Sequence, residues 1–291
     1  MTPGAALAQR SLDLAVNGVG LSIGDSREIT GIRLNFRDRA LRRVTGINAT
    51  IWMPYNDRGG DITGMALGLP ATGGENITGL GLALLGVGAN DSIDGIMIAG
   101  LGAGAGKDIR GIAIGGLGVG AGRNVTGITI GGLGAGAGGD FKGITLAGLG
   151  AGAGEDATGI VMADLGAGGD FTGASISGFA TGAGGTLKGI HIAGFAVGAT
   201  TVRGIMISGL AAGGQDVHAF SIAPAYFVVE KGGVQRGASI AAFNRIRGDQ
   251  RGVTIGIFNW ARRLNGVQIG LLNYAKNKKR FKLLPFVNIN R

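Results

Sequence analysis

Gly95-Ile-Met-Ile-Ala-Gly-Leu-Gly-Ala-Gly-Ala-Gly-Lys-Asp-Ile-Arg110 is followed by Gly111-Ile-Ala-Ile-Gly-Gly-Leu-Gly-Val-Gly-Ala-Gly-Arg-Asn-Val-Thr126, a second segment of the same 16-residue length and the same pattern. Residues 127–142 and 143–158 repeat it twice more. The consensus is G-I-x-I-x-G-L-G-x-G-A-G-x-[DN]-h-x, with h apolar, and direct repetition at a short fixed period is the mark of a stacked or closed array of identical elements. Outward from this centre, diverged copies begin at Gly31, Gly46, Gly64 and Gly79 on one side. On the other they begin at Gly159, Gly173, Gly189, Gly204, Ala219, Gly237, Gly252 and Gly266. That makes 16 copies of 14 to 18 residues, and residues 12–30 read as a seventeenth.

Each position has a physical reading. The opening Gly-Ile-x-Ile alternates and is rich in β-branched residues, so it predicts a strand. The eighth position is Gly in the middle copies (Gly102, Gly118, Gly134, Gly150) and Asn in the late ones (Asn244, Asn259, Asn273). Both tolerate positive φ, which predicts a bend there. The Gly-x-Gly-Ala-Gly that follows carries almost no side chains and lets backbones approach closely. Asp or Asn at position fourteen (Asp108, Asn124, Asp140, Asp156, Asp170) predicts a turn capped by its own side chain. Charge in the middle copies gathers at positions thirteen to sixteen, hence along one edge.

A membrane-crossing hairpin needs two strands of ~9–11 residues plus turns, which 16 residues cannot supply. The sequence therefore predicts an all-β, glycine-rich repeat protein: a narrow β-solenoid of about 16 coils of 14–18 residues, each coil two short strands. The alternatives are a barrel of about 16 strands, one per copy, or a closed ring of short β petals. A barrel would turn alternate copies upside down and place the same charged turn on both sides of a membrane, whereas a solenoid keeps every copy in register. Apolar residues on both strand faces would mark the barrel; a buried stack with a bare Gly/Ala outer face would mark the solenoid.

Composition narrows the classes further. Glycine supplies 63 of 291 residues, about one in five, with only 5 prolines and no cysteine. Collagen is excluded because glycine does not recur every third residue, and disulfide frameworks, thiolate metal sites and cysteine nucleophiles are absent. Helical bundles are excluded because each interior glycine costs a helix ~1 kcal/mol. The organisation reads as residues 1–11 a residual export signal ending in Ala6-Leu7-Ala8, 12–218 Gly/Ala-rich repeats, and 219–291 aromatic and basic repeats with a cap, the last two forming one continuous domain.

Catalytic patterns are weak. Gly-x-Gly occurs throughout, but no G-x-x-x-x-G-K-[ST] loop exists: at Lys107 the first required glycine is Leu101 and the following residue is Asp108. His191 and His218 lie 27 residues apart in different columns, which reads as surface histidines. The Asp column usually offers one carboxylate per turn, too few for a calcium ladder, and the broken threonine column does not make an ice-binding array. The chain reads as a non-enzyme with no cofactor and no metal.

The C-terminal copies differ in kind. Residues 236–291 carry 12 bases and one acid, Asp249, and nine of the sixteen aromatics lie from Phe220 onward. Aromatics interleaved with bases suit an anionic surface. The candidate contact residues are Arg262, Arg263, Lys276, Lys278, Lys279, Arg280 and Lys282, and the candidate partners are anionic lipid, glycolipid or peptidoglycan rather than nucleic acid. Gly252-Val-Thr-Ile-Gly-Ile-Phe-Asn259 and Gly266-Val-Gln-Ile-Gly-Leu-Leu-Asn-Tyr-Ala275 resemble the G-[VL]-Q-I-G-L-[LIV]-N repeat of bacterial surface repeat proteins, and Leu284-Pro-Phe-Val-Asn288 is similar to their closing segment. The resemblance is specific over about 237–291. It implies an exported protein of the cell envelope or surface, associated with the outer membrane. It brings no catalytic residues. A structural or adhesive role follows as the expectation, with an integral outer-membrane barrel as its rival.

Overall fold

The computed structural model describes residues 11–54 and 59–290. The chain is all-β and forms a β-solenoid of about 15 turns, not a barrel. It divides into two compact units, Met1–Gly138 and Gly139–Arg291, so the division falls within the Gly/Ala-rich repeats. Apart from Ser11, the leader read over 1–11 lies outside the described residues.

In the first unit a representative turn passes through two strands, Ile93–Ala99 and Gly102–Ala105. Both pair in parallel with the turns before and after: Ile98 lies opposite Leu82 and Ile114, and Ala103 opposite Val87 and Val119. Parallel neighbours need a crossover connection, and here the second strand of each turn is that crossover. A barrel of alternately inverted copies is incompatible with this pairing.

The side-chain directions do not follow the distinction expected between barrel and solenoid. Ile93, Met97, Ala99 and Ala103 are buried, while Ile96, Ile98 and Leu101 are each more than 40 % exposed. The variable residue of Gly-Ile-x-Ile faces inward and the two isoleucines face outward. A turn made of two strands encloses a thin interior. In these turns Ala or Val from the second strand packs against Met97, Ala113 or Thr129 from the first. The outer surface of the second strand is bare, with Gly102 and Gly104 there. Apolar outer columns and a bare Gly/Ala face, expected to distinguish barrel from solenoid, thus occur on the same turn.

The glycine that opens each copy has a backbone reason. Gly95, Gly111 and Gly127 have φ of +137°, +119° and +121°. A Cβ on Gly127 would stand 2.0 Å from the carbonyl oxygen of Gly111 in the preceding turn. The glycines and asparagines of the eighth position behave differently from one another. Gly102, Gly118 and Gly134 open second strands and are not among the positive-φ glycines. Asn244 stacks below Phe227 in the inward column, followed by Asn259 and Asn273. The late turns are shorter at the bend, so their asparagines fall one place further along, inside the core.

That core is polar. Asn244 Nδ2 donates to Asn259 Oδ1 at 2.8 Å, and Asn259 Nδ2 to Asn273 Oδ1 at 2.7 Å. Beside this ladder Gln268 Nε2 donates across columns to Gln250 Oε1 at 3.0 Å. Stacked amides satisfy each other because every turn presents a donor and an acceptor at the same height.

Residues 12–30 are not a seventeenth coil. Ser11–Val16 pairs antiparallel with Val19–Gly24 across Asn17-Gly18, both at positive φ, the geometry of a two-residue hairpin turn. At the opposite terminus Leu283–Asn290 pairs antiparallel with Gly266–Ala275. Near the hairpin the first unit buries a charge. Arg33, at the inward variable position, is ion-paired with Asp38 and donates to Asn48 Oδ1 at 2.8 Å and to the carbonyl of Ser26 at 2.9 Å.

Candidate functional site

The charged edge is built from position fourteen. Each aspartate caps the next turn rather than its own. Asp156 Oδ1 accepts from the Asp170 backbone N–H at 2.7 Å, Asp170 Oδ1 from Thr186 at 2.6 Å, and Asp216 Oδ1 from Val234 at 3.0 Å. In the first unit the edge is neutralised between turns, with Lys107 Nζ 2.9 Å from Asp91. The hydrogen bond from Arg123 holds the nearly buried Asp108 carboxyl down at about 2, well below its ordinary value. No group of three or more His, Cys, Asp or Glu side chains that could hold a metal ion occurs among the described residues.

The two histidines part company. His218 is half-exposed at the edge, but His191 is a core residue, correcting its reading as a surface histidine. It occupies the inward column opposite Ser175 and Met206, with Nδ1 3.1 Å from Ser175 Oγ and its ring 5.1 Å from that of Phe171. Burial pushes the imidazole down from 6.5 to about 4, against a smaller opposing pull from the Lys188 backbone. Between those values the unfolded chain binds a proton that the folded chain refuses. The stability from this neutral histidine is therefore complete above pH 6.5 and is lost as pH falls towards 4. Urea midpoints should show Gly139–Arg291 weakening across that window by about 3 kcal/mol. His191→Met, matching Met206 in the next turn, should flatten that loss; an unchanged pH dependence in the variant would place its origin elsewhere.

In the last turns the outer face of the second strand, glycine in the middle of the chain, becomes aromatic and basic. Arg245 lies opposite Trp260, and Trp260 opposite Tyr274. The Trp260 and Tyr274 rings stack with centroids 6.3 Å apart and planes 10° from parallel. Lys231, Arg245, Arg247, Arg262 and Lys276 join Trp260 around one shallow depression of about 380 Å³. Tyr226, Phe243 and Phe258 adjoin Arg245 and Trp260 in a second depression of about 400 Å³.

Two of the seven candidate contact residues, Arg262 and Lys276, thus come together. Arg263 is ion-paired with Asp249 in another depression, shared with Arg251 and Asn277. Ala261 and Leu264 are buried while Arg262 and Arg263 between them are both exposed, and the register shifts at this point, so the strand turns a corner and parts the two arginines. Lys278 Nζ donates to Asn288 Oδ1 at 2.6 Å. Lys279, Arg280 and Lys282 are exposed in the connection before Leu283–Asn290. Sequence reasoning did not select Lys231, Arg245, Arg247 and Trp260. Their signal was register: Arg245 aligns with Trp260 and then Tyr274 at successive spacings of 15 and 14 residues.

The first unit has its own concavity, a groove of about 840 Å³ walled by outward residues including Leu34, Phe36, Ile51, Leu67, Leu69 and Leu84. It is the outward isoleucine and leucine columns carried into the early turns. No protein-family model matches the chain, and no curated protein or solved structure matches it either.

Proposed function

We propose that this chain is a non-enzymatic structural or adhesive repeat protein, exported to the bacterial cell envelope, and that its basic C-terminal face holds it to an anionic surface. The observation that supports this most is the Trp260–Tyr274 stack with Lys231, Arg245, Arg247, Arg262 and Lys276 gathered round Trp260. A stacked aromatic pair presents a flat apolar face, and the surrounding cations present donors for carboxylates or phosphates. That pairing suits a charged glycan, in glycolipid or peptidoglycan, better than bare lipid. A scaffold of in-register turns holds these side chains at fixed spacing, as an adhesive surface requires.

The test is retention of the purified protein by peptidoglycan sacculi and by lipopolysaccharide. One or both should retain the wild-type chain, and Arg262→Ala/Lys276→Ala should weaken retention by about tenfold or more. Equal retention of the variant, or stronger binding to single-stranded DNA than to either polymer, would overturn the reading.

A further inference from the structure

The first strands of Gly139–Arg291 carry three outward columns that the adhesive face does not use. One column runs in register from Leu146 through Met162, Ile176, Ile192 and Ile207 to Ile269 without a polar member. A second, from Ile144 to Val267, lies beside it and is also wholly apolar. Ile160, Ile176 and Ile190 are about half exposed. At strand spacing the columns extend about 40 Å, a contiguous apolar surface larger than soluble monomers ordinarily leave bare.

The third column borders the apolar pair and contains no acid. Lys188 lies opposite Arg203, Arg203 opposite His218, and His218 opposite Arg236. Lys142 and Arg251 belong to the same column, but Asp140 and Asp249 partner them. Lys188, Arg203 and Arg236 have no carboxylate partner among the described residues. Lys188 and Arg203, in register on neighbouring strands, repel, and no ion pair among the described residues offsets that cost. At the bend beyond the apolar columns Phe179 and Phe195 stack face to face, centroids 4.7 Å apart. Asp164, close by, accepts from the backbone N–H groups of Phe179 and Ala180.

We infer that this face is a lipid-docking surface, and that residues 139–291 lie flat on a bilayer leaflet containing anionic lipid. The aliphatic columns enter the acyl boundary, the cation column meets phosphates, and the phenylalanines sit at headgroup level. A second copy fits less well: the same face of another chain offers apolar contact but no carboxylate in its three columns, so the cations would stay unpaired. The inference stands apart from the glycan-binding proposal, which uses the second strands.

Flotation of the full chain with vesicles tests it. The protein should rise with phosphatidylcholine vesicles containing phosphatidylglycerol, and far less with phosphatidylcholine alone. Lys188→Gln/Arg203→Gln/Arg236→Gln should lower affinity by about a hundredfold, at about fivefold per cation, and blunt its salt dependence. Ile176→Ser/Ile192→Ser/Ile207→Ser, at outward positions that leave the core intact, should abolish flotation with an unchanged circular dichroism spectrum. Arg262→Gln/Lys276→Gln should float like wild type whether or not it has lost glycan binding. Absence of flotation would overturn the inference. So would flotation lost only in Arg262→Gln/Lys276→Gln, or a dimer in solution that the serine variant splits while vesicles remain unbound.

Discussion

Gly127→Ala should destabilise Met1–Gly138 by about 4 kcal/mol or more, among the heaviest costs a single methyl can impose. Two effects combine. At φ +121° an alanine adopts a conformation that L-residues rarely occupy, and its Cβ would lie 2.0 Å from the Gly111 carbonyl oxygen. That oxygen is backbone in the neighbouring turn, so the overlap is relieved only by parting the stack. Gly136→Ala is the matched control. It lies in a second strand, has no positive φ, and its Cβ would meet no atom within 4 Å. It should be neutral or stabilise by up to about 1 kcal/mol through the unfolded chain. Urea denaturation of the two variants decides the matter: similar midpoints would show that the opening-glycine column carries no special constraint.

Asp38→Ala should cost a comparable amount, about 3–5 kcal/mol, because it leaves the Arg33 guanidinium buried without its counter-charge. The carboxylate also accepts from Thr50 Oγ1 at 2.7 Å, from Asn48 Nδ2 at 3.2 Å and from Asn35 Nδ2, so three further polar groups lose partners or rearrange. Replacing both charges, as Arg33→Met/Asp38→Ala, should recover most of the loss, since Met97 fills the same inward column. If the double variant is no more stable than Asp38→Ala, the cost arises from the lost hydrogen bonds rather than from the stranded charge.

The strand, the period and the stacking were legible because Gly-Ile-x-Ile alternates and recurs every 16 residues through the central copies. The direction of that alternation was not. Two isoleucines flanking a variable residue look like a buried face with a solvent position between them. The structure reverses this: Ala113, Thr129 and His191 lie inside, and the isoleucines on either side of them face out. A signal was present: apart from Arg33, the variable column lacks charged residues, which a solvent column would have accumulated. The asparagines misled for a related reason. Chemical tolerance of positive φ was a sound property applied to the wrong column, and only strand pairing shows that Asn259 sits between Asn244 and Asn273 in the core. At the candidate site, composition identified the basic end, while register alone separates Arg262 from Arg263.

The hairpin at the start of the first unit and the antiparallel strand closing the second bear on how such a chain can change length over evolutionary time. A parallel stack with an open end would offer its last turn as a template to any passing strand. Here the terminal pairs reverse direction, between Ser11–Val16 and Val19–Gly24 and between Gly266–Ala275 and Leu283–Asn290. Duplicating or deleting whole 16-residue segments in the interior leaves both closures intact. Copy number between the two closures is therefore open to change, since neighbours such as 111–126 and 127–142 share ten of sixteen positions and each whole segment carries the same consensus.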